Sequence, residues 1–242
     1  MNVEEKIIVA LDCREDEAQL LAQQLQGKAV WLKVGMTLYY SAGPSIISTF
    51  KKMGFRVFLD LKLHDIPHQV QGAAASAVAA GADMLTVHAS GGLAMMQAAA
   101  LGAHQACEQK PGGGVSPVLL GVTVLTSMDE TMLQELGINR SLTTQVASLA
   151  QLTLQAGFNG VVASPLEAPY LRKLLGENFV IVTPGVRPAQ SATDDQSRIA
   201  TPAQALQDGA SYLVIGRPIT AAKDPRLAFD AIVDEIVRKH HA

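Results

Sequence analysis

Residues 160–184 read GVVASPLEAPYLRKLLGENFVIVTP, and they hold one full turn of a repeating pattern. An apolar run at 160–164 gives way to Ser164-Pro165-Leu166-Glu167, which combines a helix N-cap, a proline at the first helical position and a capping-box glutamate. Gly176 then stands where a helix C-terminal glycine belongs, and a second apolar run follows at 180–184. The unit is strand, helix, glycine, strand.

Outward from that stretch the unit recurs. Apolar runs at 7–12, 31–35, 57–62, 84–89, 118–126, 160–164, 180–184 and 212–216 read as eight strands. They are rich in Val, Ile and Leu and almost continuously apolar, as strands are when helices cover both faces of a parallel sheet. Thr201-Pro202 and Asp224-Pro225 repeat the cap-then-proline signal, and Gly54, Gly81, Gly157 and Gly209 each stand just before a strand. Eight such units in 242 residues fit a closed (β/α)8 TIM barrel, a single domain over residues 1–242, better than an open doubly wound sheet of about five or six strands.

Composition narrows the partners. Charged residues make up 17% of the chain and the formal net charge is −3, so no field gathers nucleic acid or an anionic membrane, and an anionic ligand must be held locally. The opening Met1 to Lys6 is polar and acidic, and the apolar run after it is too short for a signal-peptide core. No stretch approaches the apolar length a membrane helix requires. A soluble, cytoplasmic protein is expected. Cys13 and Cys107 belong to no metal or redox spacing and read as structural. Gly112-Gly113-Gly114 reads as a surface connection, whereas the long aperiodic stretch 186–200 reads as a lid over an active site or a plain surface excursion.

Chemistry concentrates in Phe58-Leu59-Asp60-Leu61-Lys62-Leu63-His64-Asp65-Ile66-Pro67. Side chains alternate along a strand, so Asp60 and Lys62 share one face and Leu59, Leu61 and Leu63 the other. With the leucines against the helices, the charged pair faces the barrel interior. Burying ionised groups costs several kcal/mol each unless they are paired, and barrels carry catalysis at the C-terminal ends of their strands. Lys33 near the end of the second strand and Asp12 at the end of the first share that rim. Two lysines and three aspartates, Asp65 included, are therefore expected to converge; the alternative is a structural salt-bridge network. After the last two strands, Thr183-Pro184-Gly185-Val186-Arg187 and Ile215-Gly216-Arg217-Pro218 offer two glycines for close backbone approach and two arginines able to grip phosphate. Each arginine alone would suit an ordinary salt bridge. His88, ending the fourth strand, reads as a rim residue rather than an acid or base. No Walker loop, nucleophile elbow or metalloprotease motif occurs.

These motifs resemble the orotidine 5′-phosphate decarboxylase family, bacterial type, across nearly the whole chain: Val9-Ala10-Leu11-Asp12, Leu32-Lys33-Val34-Gly35, Asp60 through Pro67, Val87-His88-Ala89-Ser90-Gly91-Gly92, Leu125-Thr126-Ser127-Met128, Thr183 through Arg187 with Asp195-Gln196, and Gly216-Arg217-Pro218-Ile219. The resemblance implies conversion of orotidine 5′-monophosphate to UMP and carbon dioxide, the last step of de novo pyrimidine synthesis, with no cofactor and no metal. It implies that Lys62 protonates C6, that Asp60 lies beside the departing carboxylate, and that Lys33 and Asp65 complete the array. Asp65 would enter the partner's site in a homodimer with shared active sites. Asp12 and Lys33 would hold the ribose, Thr126 and Ser127 approach the base, and Arg187, Gln196, Gly216 and Arg217 secure the phosphate. His68 departs from the asparagine common among relatives, and its role stays open. Two other readings stand beside this one. A magnesium-dependent sugar-phosphate decarboxylase or aldolase of the same superfamily would carry an acidic metal ligand where Lys33 stands, and a non-catalytic phosphate-binding barrel would have lost part of the array.

Overall fold

The computed structural model describes residues 2–110, 114–187 and 200–240. Eight strands, β1 (Ile7–Leu11), β2 (Trp31–Gly35), β3 (Arg56–Leu63), β4 (Met84–His88), β5 (Val118–Val122), β6 (Gly160–Val162), β7 (Val180–Thr183) and β8 (Tyr212–Ile215), pair in parallel in chain order. β8 closes onto β1 through the Ile7–Leu213, Ile8–Val214 and Val9–Ile215 pairs. At least one helix follows every strand, among them Glu15–Leu25 after β1, Pro67–Ala80 after β3, Leu93–Glu108 after β4 and Pro225–His240 after β8. The eight-stranded barrel expected from the sequence is what the chain forms.

Strand alternation divides the apolar residues into two cores. Outward-facing side chains such as Ile7, Val9, Leu32, Leu59 and Leu85 join the helices in one large cluster. Inward-facing Ile8, Trp31, Phe58, Met84, Leu120, Val182 and Tyr212 fill the tube. All five residues of β1 and all five of β2 are buried, which is why their sequences show no polar alternation. Gly54, Gly81, Gly157, Gly176 and Gly209 all adopt positive φ, as helix C-terminal glycines do.

Two expectations need correction. The fifth strand stops at Val122, so Thr126 lies on the loop beyond it rather than on the strand. Val124 is nonetheless 5% exposed and packs in the outer core: the apolar run continues because burial continues, while ladder pairing does not. Ser164 is the second case. It forms the reciprocal contact of a capping box, its N–H donating to Glu167 Oε2 at 2.8 Å, but the helix itself begins at Ala168 with Glu167 as its N-cap. β2 spans the expected 31–35 and, β5 aside, the other strands differ from expectation by one or two residues at their ends, the usual fraying of boundaries. Gly112 and Gly113 lie outside the described residues. No helix among the described residues is long and apolar enough to cross a membrane.

Candidate active site

The C-terminal mouth of the barrel is built by the inward positions that follow the apolar ones. On β2, Trp31 is succeeded two residues later by Lys33; on β3, Phe58 is succeeded by Asp60 and then Lys62. Lys33 Nζ donates to Asp12 Oδ1 at 2.7 Å and lies 3.8 Å from Asp60 Oδ2. Lys62 Nζ donates to both Asp60 oxygens at 2.9 Å. The order Asp12, Lys33, Asp60, Lys62 alternates in sign, and each buried charge has an opposite neighbour, as burial demands. Lys33 is 7% exposed.

Three local features hold this row. Gly35 ends β2 with no side chain; a Cβ there would stand 2.9 Å from Asp12 Oδ1 and 3.1 Å from Lys33 Nζ, tighter than ordinary contact, so the glycine leaves room for that ion pair. Lys62 has φ of 51°, the one positive φ of a non-glycine among the described residues, a conformation that costs energy and clusters at functional sites. Thr86 on β4 is fully buried; its hydroxyl accepts from the Lys62 N–H at 2.9 Å and donates to Asp60 Oδ1 at 2.9 Å. Burial alone would raise the Asp60 carboxyl, but Lys33 and Lys62, with hydrogen bonds from Lys62 and Thr86, outweigh it and hold the group below the usual carboxylate range. Asp60 therefore stays ionised.

A cavity of about 910 Å³ opens over the row. Asp12, Lys33, Asp60 and Lys62 line it together with Gly185, Arg187, Gly216 and Arg217. Thr126 also borders it, whereas Ser127 is exposed outside the lining. The expectation of three converging aspartates is corrected: within one chain Asp12 and Asp60 converge, while Asp65 is exposed and, among the described residues, accepts only the N–H of Ile66, at 2.6 Å. The three-residue step from Lys62 carries it past the strand end into the loop. Gln196 and most of the long connection lie outside the described residues. His88 sits at the rim, its ring centroid 5.3 Å from that of His64. Burial, with the charges of His64 and Lys62 acting in the same direction against Asp60, lowers its pKa below the ordinary 6.5. Cys13 borders the cavity, and burial with Glu17, Asp12 and Asp16 raises its thiol to about 11, which keeps it protonated and unreactive. No group of three or more His, Cys, Asp or Glu side chains able to hold a metal ion is found among the described residues.

Thr86, Gly35 and the turned backbone of Lys62 escaped the sequence reading. Alternation places Thr86 inward with Met84 and His88, but nothing local to β4 tells that its partners are 24 and 26 residues away.

Fold and site together define a (β/α)8-barrel enzyme whose ionised groups gather at the C-terminal mouth. The family model described as "Orotidine 5′-phosphate decarboxylase / HUMPS family" matches residues 5–232, and the chain belongs to that family. It is 51% identical over 240 residues to the orotidine 5′-phosphate decarboxylase of Moorella thermoacetica, spanning 98% of this chain and 94% of that one. The decarboxylase of Nitrosococcus oceani is 49% identical over 232 residues, 96% and 97% of the two chains. A crystal structure of orotidine 5′-phosphate decarboxylase from Lactobacillus acidophilus superposes with a TM-score of 0.85 at 39% identity, covering 96% of this chain and 99% of that one.

Proposed function

We propose that the chain decarboxylates orotidine 5′-monophosphate to UMP and carbon dioxide, closing the pathway to UMP, without cofactor or metal. The observation that carries the reading is the Asp12–Lys33–Asp60–Lys62 row facing the cavity. In the reaction the bond from C6 to the carboxylate breaks and its electron pair stays on C6. That carbanion has no electron sink, so its stabilisation must come from fixed positive charge and a ready proton. The Lys62 ammonium supplies both: it donates its proton to C6 and is afterwards reprotonated from solvent. Asp60 lies beside the substrate carboxylate, so the repulsion between them is relieved as carbon dioxide departs.

In this reading Asp12 and Lys33 hold the ribose hydroxyls, and Thr126 and Ser127 meet the base. Arg187, Gly216, Arg217 and Gln196 take the phosphate, whose binding energy is available to desolvate the reacting end. Asp65 completes the site of a second copy, giving a cytoplasmic homodimer with shared active sites. What supports that role is its exposure and the absence, among the described residues, of any ion pair to its own chain's row. The HUMPS part of the family description keeps a magnesium-dependent sugar-phosphate reaction in view. Against it, the Lys33 ammonium stands between Asp12 and Asp60, where a divalent cation drawing on those carboxylates would be repelled.

The deciding experiment follows loss of substrate absorbance with purified protein in excess chelator, beside Lys62→Ala. Turnover by the unaltered chain and near-complete loss in the variant are expected. Inactivity relieved only by magnesium with a sugar phosphate overturns the reading in favour of the metal-dependent reaction, and UMP binding without turnover overturns it in favour of a non-catalytic barrel.

A further inference from the structure

Between the Leu59–Leu85 and Leu63–Val87 pairs, β3 carries Asp60, Leu61 and Lys62 where β4 carries Thr86 alone. The excess makes a bulge, and bulges re-aim side chains next to active sites while leaving ladder groups without partners. The backbone N–H of Lys62 is such a group. Thr86 Oγ1 accepts it at 2.9 Å and gives its own proton to Asp60 Oδ1 at 2.9 Å. One buried hydroxyl thereby satisfies the turned backbone of Lys62 and fixes the carboxylate to which the Lys62 ammonium is bound. Thr86 does not line the cavity and is 0% exposed, so it acts through those two residues and not on a ligand.

We infer that Thr86 is a positioning residue for proton delivery, its hydroxyl holding the left-handed backbone of Lys62 and the orientation of Asp60 as one unit. A left-handed backbone at a residue with a side chain persists only where its surroundings over-determine it. Valine has the shape of threonine without the hydroxyl, so Thr86→Val leaves the packing and removes both hydrogen bonds. With the bulge no longer pegged, the Lys62 ammonium and the Asp60 carboxylate lose their relative placement, and misplacement of a reacting group by about 1 Å costs on the order of 100-fold in rate.

This inference rests on the decarboxylase reading, so turnover by the unaltered chain is measured first; its failure sinks that reading and not the role of Thr86. With an active wild type, Thr86→Val is expected to lower kcat about 100-fold while UMP affinity, read by titration, stays within about 3-fold because Arg187 and Arg217 are untouched. Thr86→Ser, which keeps the hydroxyl, is expected to restore kcat to within about 3-fold of wild type. Should the valine variant not be recovered folded, Thr86→Cys replaces it, since a thiol is a weak donor and acceptor; serine active and cysteine impaired gives the same answer. Wild-type kcat in Thr86→Val or Thr86→Cys, or an equal fall in kcat for serine and valine, overturns the assignment.

Discussion

Two residues along β2 separate the two halves of the barrel interior. Trp31 lies in the floor, packed edge-on against Tyr212 with ring centroids 5.8 Å apart and the Arg56 guanidinium 5.5 Å from its ring. Lys33, the next inward position, lies in the mouth between two carboxylates. β3 makes the same passage from Phe58 to Asp60. The floor gains stability from every apolar atom it removes from water, with a fully buried side chain such as Phe58 contributing about 1.5–3 kcal/mol. The mouth desolvates charges whose mutual attraction does little more than offset that cost. A single tube thus has one end selected for packing and the other kept for chemistry, and substitutions at the two ends should separate stability from turnover.

The sharpest separation is expected at Lys62. Lys62→Ala should cut turnover by about 10⁴-fold, roughly 5.5 kcal/mol of barrier, while the thermal midpoint moves by only a few degrees; a comparable loss of stability would erase the contrast. Met84→Ala, in the same inner cluster but outside the cavity lining, should do the converse, costing about 2–5 kcal/mol of unfolding free energy in denaturant titration while the folded fraction retains decarboxylation. Gly35→Ala tests the mouth more gently. Its backbone, φ −90° and ψ −178°, suits alanine, but the new Cβ displaces the Asp12–Lys33 pair, so kcat/KM should fall about 10-fold with the unfolding midpoint unchanged.

The smallest effect concerns His88. Its pKa is lowered in the fold from 6.5, so between the depressed value and 6.5 the unfolded chain binds more protons, and stability there rises with pH. Stability is therefore lost as pH falls below about 6.5, and His88→Gln should flatten that slope in denaturant midpoints measured from pH 5 to 7. Asp60 adds a slope at lower pH. Its depressed pKa gives stability that is present above the ordinary carboxylate range and lost as pH falls through the folded value.

Much of this was readable along the chain. Strands covered on both faces must be apolar throughout, so their runs stand out, and glycines at positive φ mark the helix ends. Asp60 and Lys62 were assignable to the interior because their spacing of two is a strand's own period. The end of β5 was misread because apolarity reports burial, and Val124 stays buried past the ladder. Local sequence gave no sign of the Lys62 backbone, whose stabilising partner is on another strand. For Asp65 the difficulty is of another kind: among the described residues it meets nothing of the row, so no contact within the chain marks what it does.

The excess on β3 is two residues, not one, and that number has a consequence for how the gene can change. Side chains alternate with period two, so an excess of two keeps Lys62 on the cavity face with Asp60, and Leu59 and Leu63 still meet the outer core. Losing or gaining a single residue within 60–62 would turn the ammonium toward the helices and a leucine toward the cavity. Losing two would keep the alternation but take Asp60 or Lys62 with it, so this segment tolerates no shortening by either step.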